Sequence, residues 1–315
     1  MKHNIKITII LLAMFLVTQL ISLAVIYSYS PKNQLVLNQT TGIYENQTIT
    51  SDLPFGFQPP EMSSYDALTS MIIAIIIAVV LLLLLMKIKA AIFLKFWFFF
   101  VVVIALGITI NSVVMKFNIS PYWVLLLALP LAYLKIFKRN MVVHNVTELF
   151  IYPGIAAVFV PILNIPTVII LLIAISVYDI YAVWHAKFMQ KMAKYQINEL
   201  KVFSGFFIPY LGNKERKQVE LLRQKYKNHI PDKIVKKKKI KVNLAILGGG
   251  DVVFPAILAG VVLVSRGLIP ALIVSLFATI ALLLLFIAAK KGKFYPAMPF
   301  LTAGCLAGLL VAWFI

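Results

Sequence analysis

The chain has one cysteine, Cys305, in 315 residues, so a monomer can build neither a disulfide framework nor a cysteine-based metal site. It is also short of charge: Asp, Glu, Lys and Arg together make up 13%, about half the share of an average soluble domain. Carboxylates are scarce, eleven against 30 lysines and arginines. There are four histidines, and no P-loop, dinucleotide fingerprint or HExxH helix, so nucleotide and zinc chemistry lack their usual residues. No membrane Ser/His pair suggests a serine protease. What the chain has in excess is apolar: 62% hydrophobic residues and a mean hydropathy of +0.95. A soluble domain is about 45–50% apolar, and a single core cannot absorb such a surplus. The surplus comes in long runs, which excludes a soluble enzyme, a disordered chain and a secreted disulfide scaffold. The expected class is an all-α polytopic membrane protein.

A bilayer core about 30 Å thick takes roughly 20 apolar residues as a helix. That window predicts nine spans, over 6–27, 67–86, 91–113, 122–137, 145–163, 165–186, 242–264, 268–289 and 294–315. The first is too long for a signal-peptide core and has no small-residue cleavage site, so it reads as a retained helix. The fourth is short and carries Pro130. The chain thus divides into helices 1–6 with an outer hydrophilic loop 28–66 (residues 1–186), a basic loop 187–241, and helices 7–9 (242–315).

Placing the N-terminus in the cytoplasm and alternating sides puts 27 of the 30 cations inside, sixteen of them in 187–241, with only Lys32, Lys116 and Arg266 opposite. This bias predicts an integral protein of the cell membrane, with the N-terminus and the basic loop cytoplasmic and the C-terminus outside. It also explains the net charge of +19 without nucleic acid, for which the Lys236–Lys239 tetrad lacks a second basic module and stacking aromatics. The loop reads as solvated and drawn to the lipid surface. Outside, Pro54, Pro59, Pro60 and Gly56 predict irregular structure, and Asn38 and Asn46 each open a glycosylation triplet.

Nine of the eleven acidic residues fall in loops or at span edges, Glu148 among the latter. Asp179 and Asp251 do not. An aspartate inside a membrane costs roughly 2.5–3.5 kcal/mol on insertion scales and marks a functional site by default. The two lie on consecutive antiparallel spans, at expected depths of roughly 10 and 14 Å from the cytoplasmic ends at 1.5 Å per residue, so they can face each other. No intramembrane Lys or Arg is expected to neutralise them. Two close carboxylates in low dielectric cannot both ionise readily and share a proton. One can then activate water while its protonated partner polarises a scissile carbonyl. Proton or cation transport is the competing use of such a pair.

The neighbours bear on that choice. Gly248-Gly249-Gly250 stands within the seventh apolar run, where glycine allows close backbone approach beside Asp251. Pro255 removes the helical donor to the Asp251 carbonyl, so the helix there is loosened and can admit an extended substrate. The ninth span opens with Tyr295-Pro296-Ala297-Met298-Pro299, a rigid helix start at about the level of the aspartates.

Tyr178-Asp179, Gly248-x-Gly250-Asp251 and Pro296-Ala297-Met298, in this order on nine spans with a long loop between the two aspartate helices, resemble the presenilin and signal peptide peptidase family. The resemblance implies an intramembrane aspartyl protease that hydrolyses peptide bonds within transmembrane helices, with Asp179 and Asp251 as the catalytic pair. It implies that Tyr178, Gly248 and Gly250 shape the substrate site and that Pro296, Ala297 and Met298 bound its cleft. The family usually has leucine where Met298 stands, a swap of similar size. The derived orientation is similar to presenilin rather than to the inverted signal peptide peptidase, and the compact chain is similar to prokaryotic or archaeal homologues. No metal or organic cofactor is implied. The expected partners are substrate helices and membrane lipid; accessory subunits and oligomeric state do not follow. A prepilin-peptidase-like enzyme shares the Gly-x-Gly-Asp signature, and a carboxylate-dependent ion carrier is the non-enzymatic alternative. Residues Lys236–Leu244 alternate partly in character and are a candidate edge strand for pairing with an extended substrate. His185 reads as interfacial, Cys305 as packing and Arg266 as the mark of a short outer turn.

Overall fold

The computed structural model describes residues 5–37, 44–49, 53–56, 62–88, 90–117, 119–138, 140–185, 203–211, 219, 242–289 and 295–314. They form nine apolar helices: α1 (Ile5–Tyr29), α2 (Ser64–Lys87), α3 (Ala91–Val114), α4 (Leu125–Phe137), α5 (Met141–Phe159), α6 (Ile165–Ile180), α7 (Gly249–Arg266), α8 (Leu268–Ala288) and α9 (Met298–Trp313). Seven are long and apolar enough to cross a membrane; α4, entered through the 3-10 turn Pro121–Val124, and α9 are shorter. The outward faces carry large apolar side chains such as Ile76, Leu84, Phe100 and Leu310, a surface suited to lipid rather than water. Hydroxyls along the spans bond back to their own helices, as Thr18 does to the Met14 carbonyl and Ser275 to that of Ala271, so a polar side chain costs little inside the bundle.

α7 is the hub. Its residues from Pro255 to Leu263 are all buried, and the helix packs against α1, α5, α6 and α8. α1 packs centrally on α5, α7 and α8. Close approach is written in small residues: a Cβ on Gly154 of α5 would fall on the backbone carbonyl of Ala105 in α3. Gly154→Ala is therefore expected to force α3 and α5 apart at a cost of about 1–3 kcal/mol, read as a lowered thermal midpoint of the purified protein.

Two antiparallel strand pairs accompany the all-α bundle. β1 (Lys32–Leu37) pairs with β2 (Tyr44–Ile49) in the segment expected to be irregular; Asn46 lies on β2, and Asn38 lies outside the described residues. β3 (Gly205–Leu211) pairs with β4 (Val242–Gly248), with Gly205 opposite Gly248 and Leu211 opposite Val242. The seventh span therefore starts at Gly249, not at 242, because Val242–Gly248 is consumed by the ladder. The strand expected over 236–244 is found over 242–248, and its first part lies outside the described residues, as does most of the basic loop.

Candidate active site

Asp179 is in the last turn of α6, 5% exposed. Beyond it the helix widens into a π turn, Tyr181–His185, where the Tyr181 and His185 rings stack. The Met298 N–H donates to Asp179 Oδ2 at 3.1 Å, and the Ala297 backbone bonds the same carboxylate. These are donors from the start of α9, groups without helical acceptors, and their partial positive charge suits a carboxylate. Pro296 and the Met298 side chain are buried. One turn further into the bundle, Ser176 Oγ meets Thr302 Oγ1 at 2.7 Å, which fixes α6 against α9 behind the acid.

Asp251 enters differently from the sequence expectation. It stands in the first turn of α7, not nine residues into a helix, because Gly248 is the N-cap. Its carboxylate turns back to the Gly248 backbone N–H, half of a capping box whose cap residue has no side chain. A Cβ on Gly248 would stand 3.1 Å from Asp251 Oδ2, so the glycine keeps that oxygen clear. The Asp251 carboxylate is near enough to that of Asp179 for the two to interact electrostatically. Gly250 is exposed beside Asp251, and a Cβ there would meet only Phe254 of its own helix, at 3.5 Å. Tyr178 is half-buried next to Asp179. The three segments singled out from the sequence thus converge on one place, at one end of the bundle. A cavity of about 410 Å³ lined by Tyr29, Asn164 and Ser265 is at the opposite ends of α1, α6 and α7 and has no part in it.

Several supporting residues were missed. Gln19 of α1, fully buried, donates from Nε2 to the Val252 carbonyl at 3.0 Å, beside Asp251. A glutamine in a long apolar run was the available signal. Two residues were misassigned. Lys135, counted among cytoplasmic cations, is buried and forms an ion pair with Glu148, which was placed at a span edge and is 1% exposed. The expectation of no cation within the spans is corrected accordingly, although this lysine serves Glu148 and not the aspartates. Arg266, at the turn expected, lies over the Trp313 ring at 3.7 Å. Among the described residues no group of three His, Cys, Asp or Glu could hold a metal ion.

The family model described as signal-peptide peptidase, presenilin aspartyl protease matches residues 33–315. Two solved structures of a presenilin family intramembrane aspartate protease are similar in fold. One, in a C222 crystal form, superposes with a TM-score of 0.60 at 18% identity over 97% of this chain and 98% of its own. The other, in P2, gives 0.57 at 18% identity over 96% of each chain. No curated protein matches the chain significantly.

Proposed function

The chain belongs to the signal-peptide peptidase and presenilin family of aspartyl proteases, and on that premise we propose that Asp179 and Asp251 are the catalytic dyad with which it cuts transmembrane helices. The observation that carries this reading is the convergence of two carboxylates on the starts of two helices, α7 and α9. Sharing one proton, the pair leaves one carboxylate to take a proton from water and one carboxylic acid to polarise the scissile carbonyl. The attack of water on that carbonyl gives a tetrahedral diol, and collapse with proton transfer to the amide nitrogen releases acid and amine. No cofactor takes part.

A helical substrate hides its carbonyls in hydrogen bonds, so it must unwind and become extended before attack. The β3–β4 hairpin suits such a substrate. Gly205 and Phe207 of β3 turn their backbone groups away from β4, onto α5 side chains. By the alternation of the antiparallel ladder, Val242, Leu244 and Ile246 then present theirs on the far edge of β4. Among the described residues one edge of the strand pair is closed by α5 and the other is free for strand addition. Access is lateral, beside α2, which leans on α6 and buries only Ala67 and Leu68. Tyr178, Gly250 and the Pro296-Ala297-Met298 segment line the approach. The cation bias supports a topology with this end of the bundle, the N-terminus and the basic loop in the cytoplasm and the C-terminus outside.

The test is incubation of the purified chain in detergent with a labelled single-span helix, with products identified by mass spectrometry. Two complementary fragments are expected. No fragment from several substrates, with pH-driven flux in proteoliposomes instead, would overturn the protease reading in favour of a carrier. Proline at Leu244 removes one N–H from the open edge and none from the ladder. It is expected to raise KM by about tenfold, the equivalent of a lost hydrogen bond to the substrate, with an unchanged thermal midpoint; an unchanged KM would remove strand addition. Val242→Pro carries the same expectation.

A further inference from the structure

The buried ion pair found between α4 and α5 has no part in the chemistry above, yet it is placed with care. Glu148 Oε1, which takes the Lys135 ammonium, also accepts the Gly205 N–H at 3.3 Å. His144 Nε2 lies 2.9 Å from the Gly205 carbonyl. A carbonyl only accepts, so Nε2 carries the proton, and the bare Nδ1 faces Lys135 Nζ at 3.5 Å. Next to them, the Asn145 amide pairs both ways with Phe207: its Nδ2 donates to the carbonyl at 2.9 Å, and its Oδ1 accepts the N–H at 3.2 Å. Three side chains from one turn of α5 therefore answer four backbone groups on alternate residues of β3, as a neighbouring strand would. The third such position is Pro209, which has no N–H to satisfy.

The reach of this arrangement goes past β3. Gly205 pairs with Gly248, the N-cap from which Asp251 is presented. The carbonyl of its neighbour Ser204 accepts the Gly249 N–H at 3.3 Å. Substituted Gly205 would have no room, since a Cβ would stand 2.5 Å from the Leu247 carbonyl oxygen. A buried charge pair is rarely the cheapest way to hold two helices together, because apolar residues of equal volume do as well or better. A pair that also grips a strand backbone at a fixed point offers what apolar packing does not, a defined register.

We propose that Lys135, His144, Asn145 and Glu148 are positioning residues of the protease, a side-chain edge that fixes the hairpin in register and so sets Asp251 and the open strand relative to Asp179. The inference rests on the dyad reading above. It assigns a role in the reaction to residues that touch neither substrate nor reacting atoms.

The experiment compares wild type with Glu148→Gln, with Asn145→Leu and with the volume-conserving pair Lys135→Met/Glu148→Leu, each purified as the full chain. For each, KM, kcat and the ratio of products cut at neighbouring bonds are measured with the labelled helix, together with the thermal midpoint. Loss of folded protein lowers the number of active molecules and kcat alone. Loss of register moves KM and the choice of bond. The expectation is a KM raised about threefold or more and a product ratio changed about twofold or more, as misplacement of reacting groups demands, in the neutral pair even where its midpoint equals wild type. Lys135→Arg, which keeps the ion pair, is expected to restore the wild-type ratio. Should Glu148→Gln fail to fold, the neutral pair and Asn145→Leu decide. Unchanged KM and product ratio in the variants that fold, with wild type active, would overturn the inference. A wild type that makes no product would overturn the protease reading instead, so the two failures are distinct.

Discussion

Alanine at either Asp179 or Asp251 is expected to cut the rate of helix cleavage by at least about 10³-fold, to background, with the fold retained. The chemistry needs two groups in opposite protonation states at once, and a single carboxylate cannot hold both. The asparagine variants should be as inactive, since an amide keeps the shape but cannot act as an acid or a base. What each aspartate does for the fold is modest. Asp179 accepts two N–H groups at the start of α9, and Asp251 supplies half of a capping box. Removing such a bond costs about 1 kcal/mol, and taking a polar carboxyl out of a buried site offsets part of it. The thermal midpoints of the variants should therefore stay close to that of wild type while products vanish. The pH profile is a second readout of the same pair. Activity requires one proton on the dyad, so it falls on the acid side as both groups are protonated and on the alkaline side as the shared proton leaves. A bell is expected in kcat/KM for wild type. Product formation that survives either alanine substitution, measured by mass spectrometry on the same substrate, would exclude the dyad.

The two aspartates were legible in the sequence for a simple reason: an acid inside a long apolar run is costly, and only Asp179 and Asp251 stood away from loops and span edges. The spans were legible because bilayer thickness imposes a length on them. The hairpin was not. Val242-Asn243-Leu244-Ala245-Ile246-Leu247-Gly248 is an apolar run continuous with α7, and length alone does not separate a strand from the first turns of a helix when the next element follows without a break. The consequence was Asp251 set too deep, within a helix instead of at its start. Lys135 was hidden by a rule that otherwise works: a lysine at the end of an apolar run marks the cytoplasmic side, and nothing in the run tells that its ammonium turns inward to Glu148 on the next helix. That pairing is a tertiary fact, as is the grip of Asn145 on Phe207. Gln19, Ser176 and Thr302 were readable as polar residues in apolar surroundings, but their partners were not.

Gly249 shows the same limit from the other side. It is the variable position of the Gly-x-Gly-Asp pattern, and the sequence reading assigned roles to its two neighbours only. Yet a Cβ on Gly249 would stand 2.9 Å from the Tyr152 hydroxyl, 3.0 Å from the Tyr152 ring and 2.9 Å from Ser204 Oγ. Ser204 is exposed and can turn away. Tyr152 cannot: it is 1% exposed, on α5 below Glu148, and its ring is packed edge-on against Phe206 of β3. Alanine at 249 must then push the start of α7 off the tyrosine, and Asp251 lies two residues on. A displacement of about 1 Å at a reacting group is worth about 10²-fold in rate. Gly249→Ala is accordingly expected to lower kcat by about 10²-fold and to reduce the thermal midpoint as well, since overpacking costs about 1–3 kcal/mol. Gly250→Ala separates the two effects. Its Cβ meets nothing closer than Phe254 at 3.5 Å, so the midpoint should hold, and any loss is expected in KM, because Gly250 is exposed beside Asp251, on the side proposed for the substrate. Steady-state kinetics and thermal unfolding of the two variants, side by side, check the assignment. A Gly249→Ala enzyme with wild-type kcat would mean that the α7 start can shift without moving the acid, and that the turn is not what holds Asp251 in place.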